Sequence, residues 1–333
     1  MQALKNTLFL VLVVALSCEI EGEYSNPDWS EHLGTKIYTT NNLPAALLWS
    51  ENTNEIIVVG FDGIAAIEAT SKKVRKLPIG ASNVSTQSAW VVGNTIYQLN
   101  SNGELSRVDL TNLSFIGNLV DSVSFHPLSS PFTATQFAYA KYNPDYSTSI
   151  FLYDLKSHLE TYVGTGLPYV FSPDGKQLVI TNNGDFFVYD LTTKAIKALN
   201  FNEAYGTKFI IWTTDGIISF QQQGESLVAR NESTGADIGE WKSIAGVFGG
   251  GVSPSGNHII TVEALCVNGN MTSGYCPNGT KMKHSIVDVN NSVEVPMAYT
   301  VNSSIYLRAF SPDEKNFAIA TYDYSVYITE PLN

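Results

Sequence analysis

The chain has 333 residues, 44% of them hydrophobic and 15% charged, which supplies a large core and few surface charges for its size. Its formal net charge is −12, and an acidic surface of that strength repels phosphate backbones and anionic lipid headgroups, which argues against nucleic-acid binding. The 17 Tyr and 16 Phe against 4 Met suit strands better than helices.

The N-terminus carries an address. Lys5 precedes an apolar run from Leu8 to Leu16, and Ala15 and Ser17 stand where the small residues of a cleavage site belong. Residues 1–18 therefore read as a signal peptide cleaved near 17–23. The run is too short to span a bilayer, and no later segment reaches the length of a transmembrane helix. Cys18 has two readings. Val14-Ala15-Leu16-Ser17-Cys18 resembles a bacterial lipobox, which would tether a periplasmic lipoprotein through Cys18. Seven N-x-S/T sequons, at Asn83, Asn112, Asn231, Asn270, Asn278, Asn290 and Asn302, point instead to a secreted, extracellular glycoprotein.

From residue 24 to 333 the chain reads as one domain of seven units, each about 40 residues long. A strand enters at Thr35–Thr39, then anchors recur at Trp49, Trp90, Phe125, Phe171, Trp212, Val252 and Phe310. The clearest unit runs Phe171-Ser172-Pro173-Asp174-Gly175-Lys176 into Leu178-Val179-Ile180, then through Asn183-Gly184 into Phe186-Phe187-Val188-Tyr189-Asp190-Leu191. Pro presets φ and Gly or Asp tolerates the turn, so Ser-Pro-Asp-Gly closes a hairpin between the first two strands of a unit. Asp62-Gly63, Asn102-Gly103 and Asn183-Gly184 are two-residue hairpin signals between the second and third. Asp109, Asp154, Asp190 and Asp288 end the third strands, and their recurrence predicts a turn in which each carboxylate accepts backbone amides two residues on.

One four-stranded antiparallel sheet cannot cover both its apolar faces, but seven around an axis bury each against a neighbour. The expected fold is an all-β, seven-bladed β-propeller, closed when Thr35–Thr39 joins the last blade as its outermost strand. The Phe-Ser-Pro-Asp-Gly-Lys motif followed by an apolar strand resembles the TolB-type, WD40-like propeller repeat. It is clear at Phe171, Val252 and Phe310 and degenerate elsewhere, and the Trp-Asp and Gly-His dipeptides of true WD40 repeats are absent. The resemblance implies architecture and no particular activity.

Two excursions break the period, near 129–147 and 262–284. Insertions in repeat proteins map to loops and often to a binding face. The second contains Cys266 and Cys276, which in an oxidising compartment read as a disulfide. Possible channel or contact residues are Asp121, Lys208 and Arg308 on predicted first strands, His126 at a strand end, Gly250 within Gly249-Gly250-Gly251, and the aromatics Tyr142 and Tyr146. The five His lack metal-ligand spacing, and no nucleophile elbow, phosphate loop or dinucleotide fingerprint occurs, so no catalytic, cofactor or metal residue is assigned. The expected role is a non-enzymatic module binding a protein or glycan, or a structural part of an extracellular assembly. A hydrolase or lactonase at the channel mouth is the second reading, and an envelope lipoprotein scaffold the third.

Overall fold

The computed structural model describes residues 34–50, 52–60, 63–77, 86–100, 102–123, 136–199, 207–213, 215–223, 226–242, 252–266, 280–300 and 305–329. They form seven antiparallel sheets and no helix. The first blade holds Pro44–Trp49, Glu55–Gly60, Gly63–Glu68 and Val74–Leu77; the second Thr86–Val92, Thr95–Asn100, Leu105–Asp109 and Ser114–Val120. The fourth holds Leu167–Phe171, Gln177–Asn182, Asp185–Asp190 and Ile196–Leu199; the fifth Thr207–Thr213, Gly216–Gln223, Ser226–Asn231 and Asp237–Lys242. In the third (Gln136–Tyr142, Thr148–Asp154, Glu160–Thr165) and sixth (His258–Cys266, Thr280–Asp288, Val293–Thr300) the first strand is represented by single bridges, Val123 to Lys141 and Val252 to Ile259. The seventh combines Ile305–Phe310, Phe317–Thr321 and Ser325–Ile328 with Thr35–Thr39, which pairs from Thr35↔Ile328 to Thr39↔Ser325.

Alternation along the strands explains why the sheets close into a ring. In Ile56-Ile57-Val58-Val59, Ile56 and Val58 pack against the seventh blade with Ala309, Ala318 and Ala320, while Ile57 and Val59 pack against Ile96 and Val108 of the second. A strand buried on both faces reads as a continuous apolar run, which this segment is. The same two-sided burial produces a core at each remaining seam, from the second blade through the seventh. Among the described residues, seven such seams join the seven blades.

The ring has two unlike sides. First-to-second and third-to-fourth strand connections lie on one side, the turn face, and the motifs read from sequence are its fabric. Ser172 Oγ accepts the Gln177 amide at 2.9 Å and donates to Asp174 Oδ1 at 2.7 Å, and Ser311 does the same with Asn316 and Asp313. The strand-end aspartates act as expected: Asp109, Asp154, Asp190 and Asp288 each accept an amide two residues on. Asn231 does this in the fifth blade, a substitution the Asp pattern concealed. The residue after the cap has a second job. The amides of Leu110, Leu191, Glu232 and Val289 bond back to Asn94, Lys176, Ile217 and Asn257, and Leu110 and Val289 are fully buried in the seams. Side chains also staple blade to blade: Arg75 Nη1 to the Thr111 carbonyl, Gln136 Nε2 to the Gly175 carbonyl, and the Glu314 carboxylate to the Ser255 amide and His258 Nδ1.

Within the excursion near 262–284 the sixth blade extends its hairpin to two nine-residue strands that pair as far as Cys266↔Thr280. One expectation changes. Asp121 lies on no first strand; with Ser122 it forms an exposed bend beyond Val120, since the outer strand of the second blade runs on to that point.

Candidate functional site

Each blade's first strand starts on the other side of the ring, the loop face, where second-to-third strand hairpins and interblade links also emerge. In the second blade Asn100 closes a three-residue hairpin by accepting the Gly103 amide at 3.1 Å, and Gly103 sits at φ 77°. A residue in that left-handed region is what lets such a hairpin return in register, and glycine is the residue that adopts it without steric cost.

The third and seventh blades build the same hairpin with tyrosine in the glycine position. Tyr146 donates its amide to the Asn143 carbonyl at 3.0 Å with φ 65°, and Tyr324 to the Thr321 carbonyl at 3.0 Å with φ 66°. Both follow an aspartate that reaches over them: Asp145 Oδ1 accepts the Ser147 amide at 3.1 Å, and Asp323 Oδ1 the Ser325 amide at 3.2 Å. Hydrogen bonds from Ser147 hold the Asp145 carboxyl below the usual carboxylate range. In the third blade Asn143 adds bonds to Ser147 Oγ and Ser149 Oγ. A left-handed bulky residue costs about 1–2 kcal/mol, and strain of this kind persists only where the surroundings enforce it. The result is a rigid hairpin tip presenting a tyrosine, with Tyr146 89% and Tyr142 51% exposed.

Sequence reasoning singled out Tyr142 and Tyr146 but missed Tyr322 and Tyr324, which are also exposed. The signal was the triplet Asp-Tyr-Ser, present at 145–147 and again at 323–325. Among the described residues, these four tyrosines are the exposed aromatics of the loop face, and Phe115 and Tyr162 lie on outermost strands at the rim. Beside Tyr324, whose carbonyl accepts the Thr40 amide at 2.8 Å, a cleft of about 670 Å³ including its open mouth runs along the seam of the seventh and first blades. Tyr38, Asn41, Asn42 and Lys76 line it, with the Lys76 ammonium 5.0 Å from the Tyr38 ring centre.

The other candidates separate. Arg308 is on the first strand of the seventh blade but 3% exposed, in the seam with the sixth. Lys208 lies within Thr207–Thr213. His126, Gly250, Cys276, Cys18 and the signal segment lie outside the described residues, as do Asn83, Asn270, Asn278 and Asn302. The remaining sequons fall on the turn face: Asn112 and Asn290 are exposed there, and the Asn231 oxygen caps its turn. Among the described residues no three His, Cys, Asp or Glu side chains gather as metal ligands, and no helix is long and apolar enough to cross a membrane.

No protein-family model and no curated protein sequence matches the chain. Solved structures match over nearly its whole length. A chain in the crystal structure of the mitotic checkpoint complex is 16% identical, with a TM-score of 0.62, covering 95% of this chain and 99% of that one. Oligogalacturonate lyase in complex with manganese is 11% identical, also with a TM-score of 0.62, covering 92% of each chain. At such identities the likeness is one of fold, and the WD40-like character of the repeat holds at that level. One of these rings belongs to a multiprotein complex and the other to a lyase, so the fold alone assigns no activity.

Proposed function

We propose that the chain is a secreted propeller that binds a protein partner through its loop face, without catalysing a reaction. The observation that carries this reading is the placement of Tyr146 and Tyr324 at left-handed positions where the second blade uses Gly103. Left-handed residues such as Lys194 and Glu314 also occur on the turn face, but at the two loop-face tips the residue is an exposed, rigidly held tyrosine, a favoured contact residue. The two tips are three blades apart around the ring. At about 10 Å between packed sheets they are on the order of 20–30 Å apart, a span for a macromolecular surface rather than a small ligand. The turn face, by contrast, is spent on caps and interblade staples. Secretion is supported by the N-terminal segment and the sequons.

Two measurements test the reading. Peptide-level mass spectrometry of protein from its native source is expected to find residues 1–18 absent and glycan on Asn290 or Asn112; a diacylated Cys18 with bare sequons contradicts secretion as a glycoprotein. Tyr146→Ala with Tyr324→Ala is expected to release whatever protein copurifies, while Thr192→Ala on the turn face retains it. Retention by both variants contradicts use of the loop face.

A further inference from the structure

Arg308 and His284 meet in the seam between the sixth and seventh blades. Arg308 pairs with Ile319 and lies on the same face as Phe310 and Phe317, which pack against Ile260 and Ile286 of the sixth blade. His284 pairs with Val262 two residues from Ile286, on that same face. Both therefore stand at the loop-face end of the seam, one step beyond Phe310 and Ile286. Arg308 is 3% and His284 1% exposed.

The chemistry of this pair is unbalanced. Burial pushes the Arg308 guanidinium down only to about 10, so it stays charged at neutral pH. Burial first, and the neighbouring Arg308 charge second, push His284 down to about 3, so its imidazole is neutral and supplies no counter-charge. Among the described residues no carboxylate forms an ion pair with Arg308, and its Nε has no hydrogen-bond partner. Segments 243–251, 267–279 and 301–304 contain no Asp or Glu in their sequence, and Glu263 of the sixth-blade hairpin pairs with Lys283, one register position away from His284. Arg308 also feels Tyr322 electrostatically, and Tyr322 is exposed on the loop-face hairpin. A buried, permanently charged guanidinium is costly unless an anion meets it, and its planar fork of donors matches a carboxylate.

We infer that Arg308 is the floor of an anion site entered from the loop face beside Tyr322, and that it takes the carboxylate of a small acidic ligand. The site goes beyond the protein-binding reading and does not depend on it, because the strained tips and this seam are separate features.

The probes are sodium acetate and sodium glucuronate, titrated calorimetrically into the full-length mature protein in chloride-free buffer. Saturable binding of at least one is expected, weakened roughly tenfold or more in Arg308→Met and less in Arg308→Lys, which keeps charge but loses the fork. Binding of both probes identifies a bare carboxylate site, and binding of glucuronate alone an acidic-sugar site; each supports the inference. Without ligand, Arg308→Met is expected to melt at or above the wild-type temperature, since it removes an unpaired charge from a seam. No saturable binding of either probe, undiminished binding by Arg308→Met, or an unliganded variant that melts well below wild type or fails to fold would overturn it. Tyr146→Ala is expected to leave this binding unchanged, so the two readings fail separately.

Discussion

Tyr146 and Tyr324 occupy one and the same hairpin position in the third and seventh blades, each left-handed, each preceded by an aspartate that bonds the following serine amide. Gly103 holds the equivalent place in the second blade. Tyr146→Gly and Tyr324→Gly should each stabilise the protein by about 1 kcal/mol, because glycine adopts the required φ without steric cost. Chemical denaturation with an unchanged slope would measure it. A stabilised variant that has also lost its partner is the trade expected of strain kept for function; a destabilised one means that the rings hold the hairpins together.

Closure through Thr35–Thr39 makes a second prediction. Those residues pair along Ser325–Ile328 and bring Ile37 and Tyr38 against the core of the seam with the first blade. A chain lacking them exposes that edge and should lose several kcal/mol, on the scale of two half-buried side chains and a strand of hydrogen bonds. Melting at the full-length temperature would refute it.

Much of this was legible in advance, for a physical reason. The turn face is made by local hydrogen bonds, so Ser172, Asp174 and Asp190 announce it within a few residues. Apolar alternation marks the strands, as at Ile56 to Val59. What stayed hidden is what blades do to each other. Arg308 looked like a channel residue because a first strand lines the axis, but which face it presents depends on register across the ring. Tyr324 was passed over because Asp-Tyr-Ser resembles no hairpin signal; only its φ reveals that it stands in a glycine's place. The excursion near 262–284 shows in the sequence only as a break in the period, because strands that simply continue, as His258–Cys266 does, carry no mark of where they stop.

The neutral burial of His284 predicts a dependence on pH. With its pKa pushed from 6.5 to about 3, the unfolded chain binds a proton that the native state refuses. Its contribution is therefore complete above pH 6.5 and is lost as pH falls toward 3. Unfolding free energy should drop by about 1.4 kcal/mol per pH unit between roughly pH 6 and 4.5. His284→Gln should flatten that slope whatever it does to stability at pH 7. Below about pH 4 a further loss is expected, because amides of Ser157 and Thr193 hold Asp154 and Asp190 under the ordinary carboxylate range. The ionised carboxylate is the stronger acceptor for these amides, so the caps weaken as acid titrates them, while the neutral Asn231 cap of the fifth blade is unaffected.

Gly256 offers a contrast with Gly184. At φ 74°, a Cβ on Gly256 would overlap the Trp212 carbonyl of the neighbouring blade, whereas Gly184 at φ 92° faces open space. Gly184→Ala should cost about 1 kcal/mol from backbone strain alone. Gly256→Ala should cost clearly more, since two blades must part to admit the methyl group. Equal losses in thermal denaturation would mean the seam yields freely.

The claim that the loop face is the binding face is tested most directly by site-specific photo-crosslinking. A photoreactive phenylalanine analogue is placed at position 146, at 324, and at 192 on the turn face, and the protein is irradiated with its partner bound. Adducts from 146 and 324 but none from 192 are the predicted result. An adduct from 192 alone would place the partner on the turn face and contradict the account.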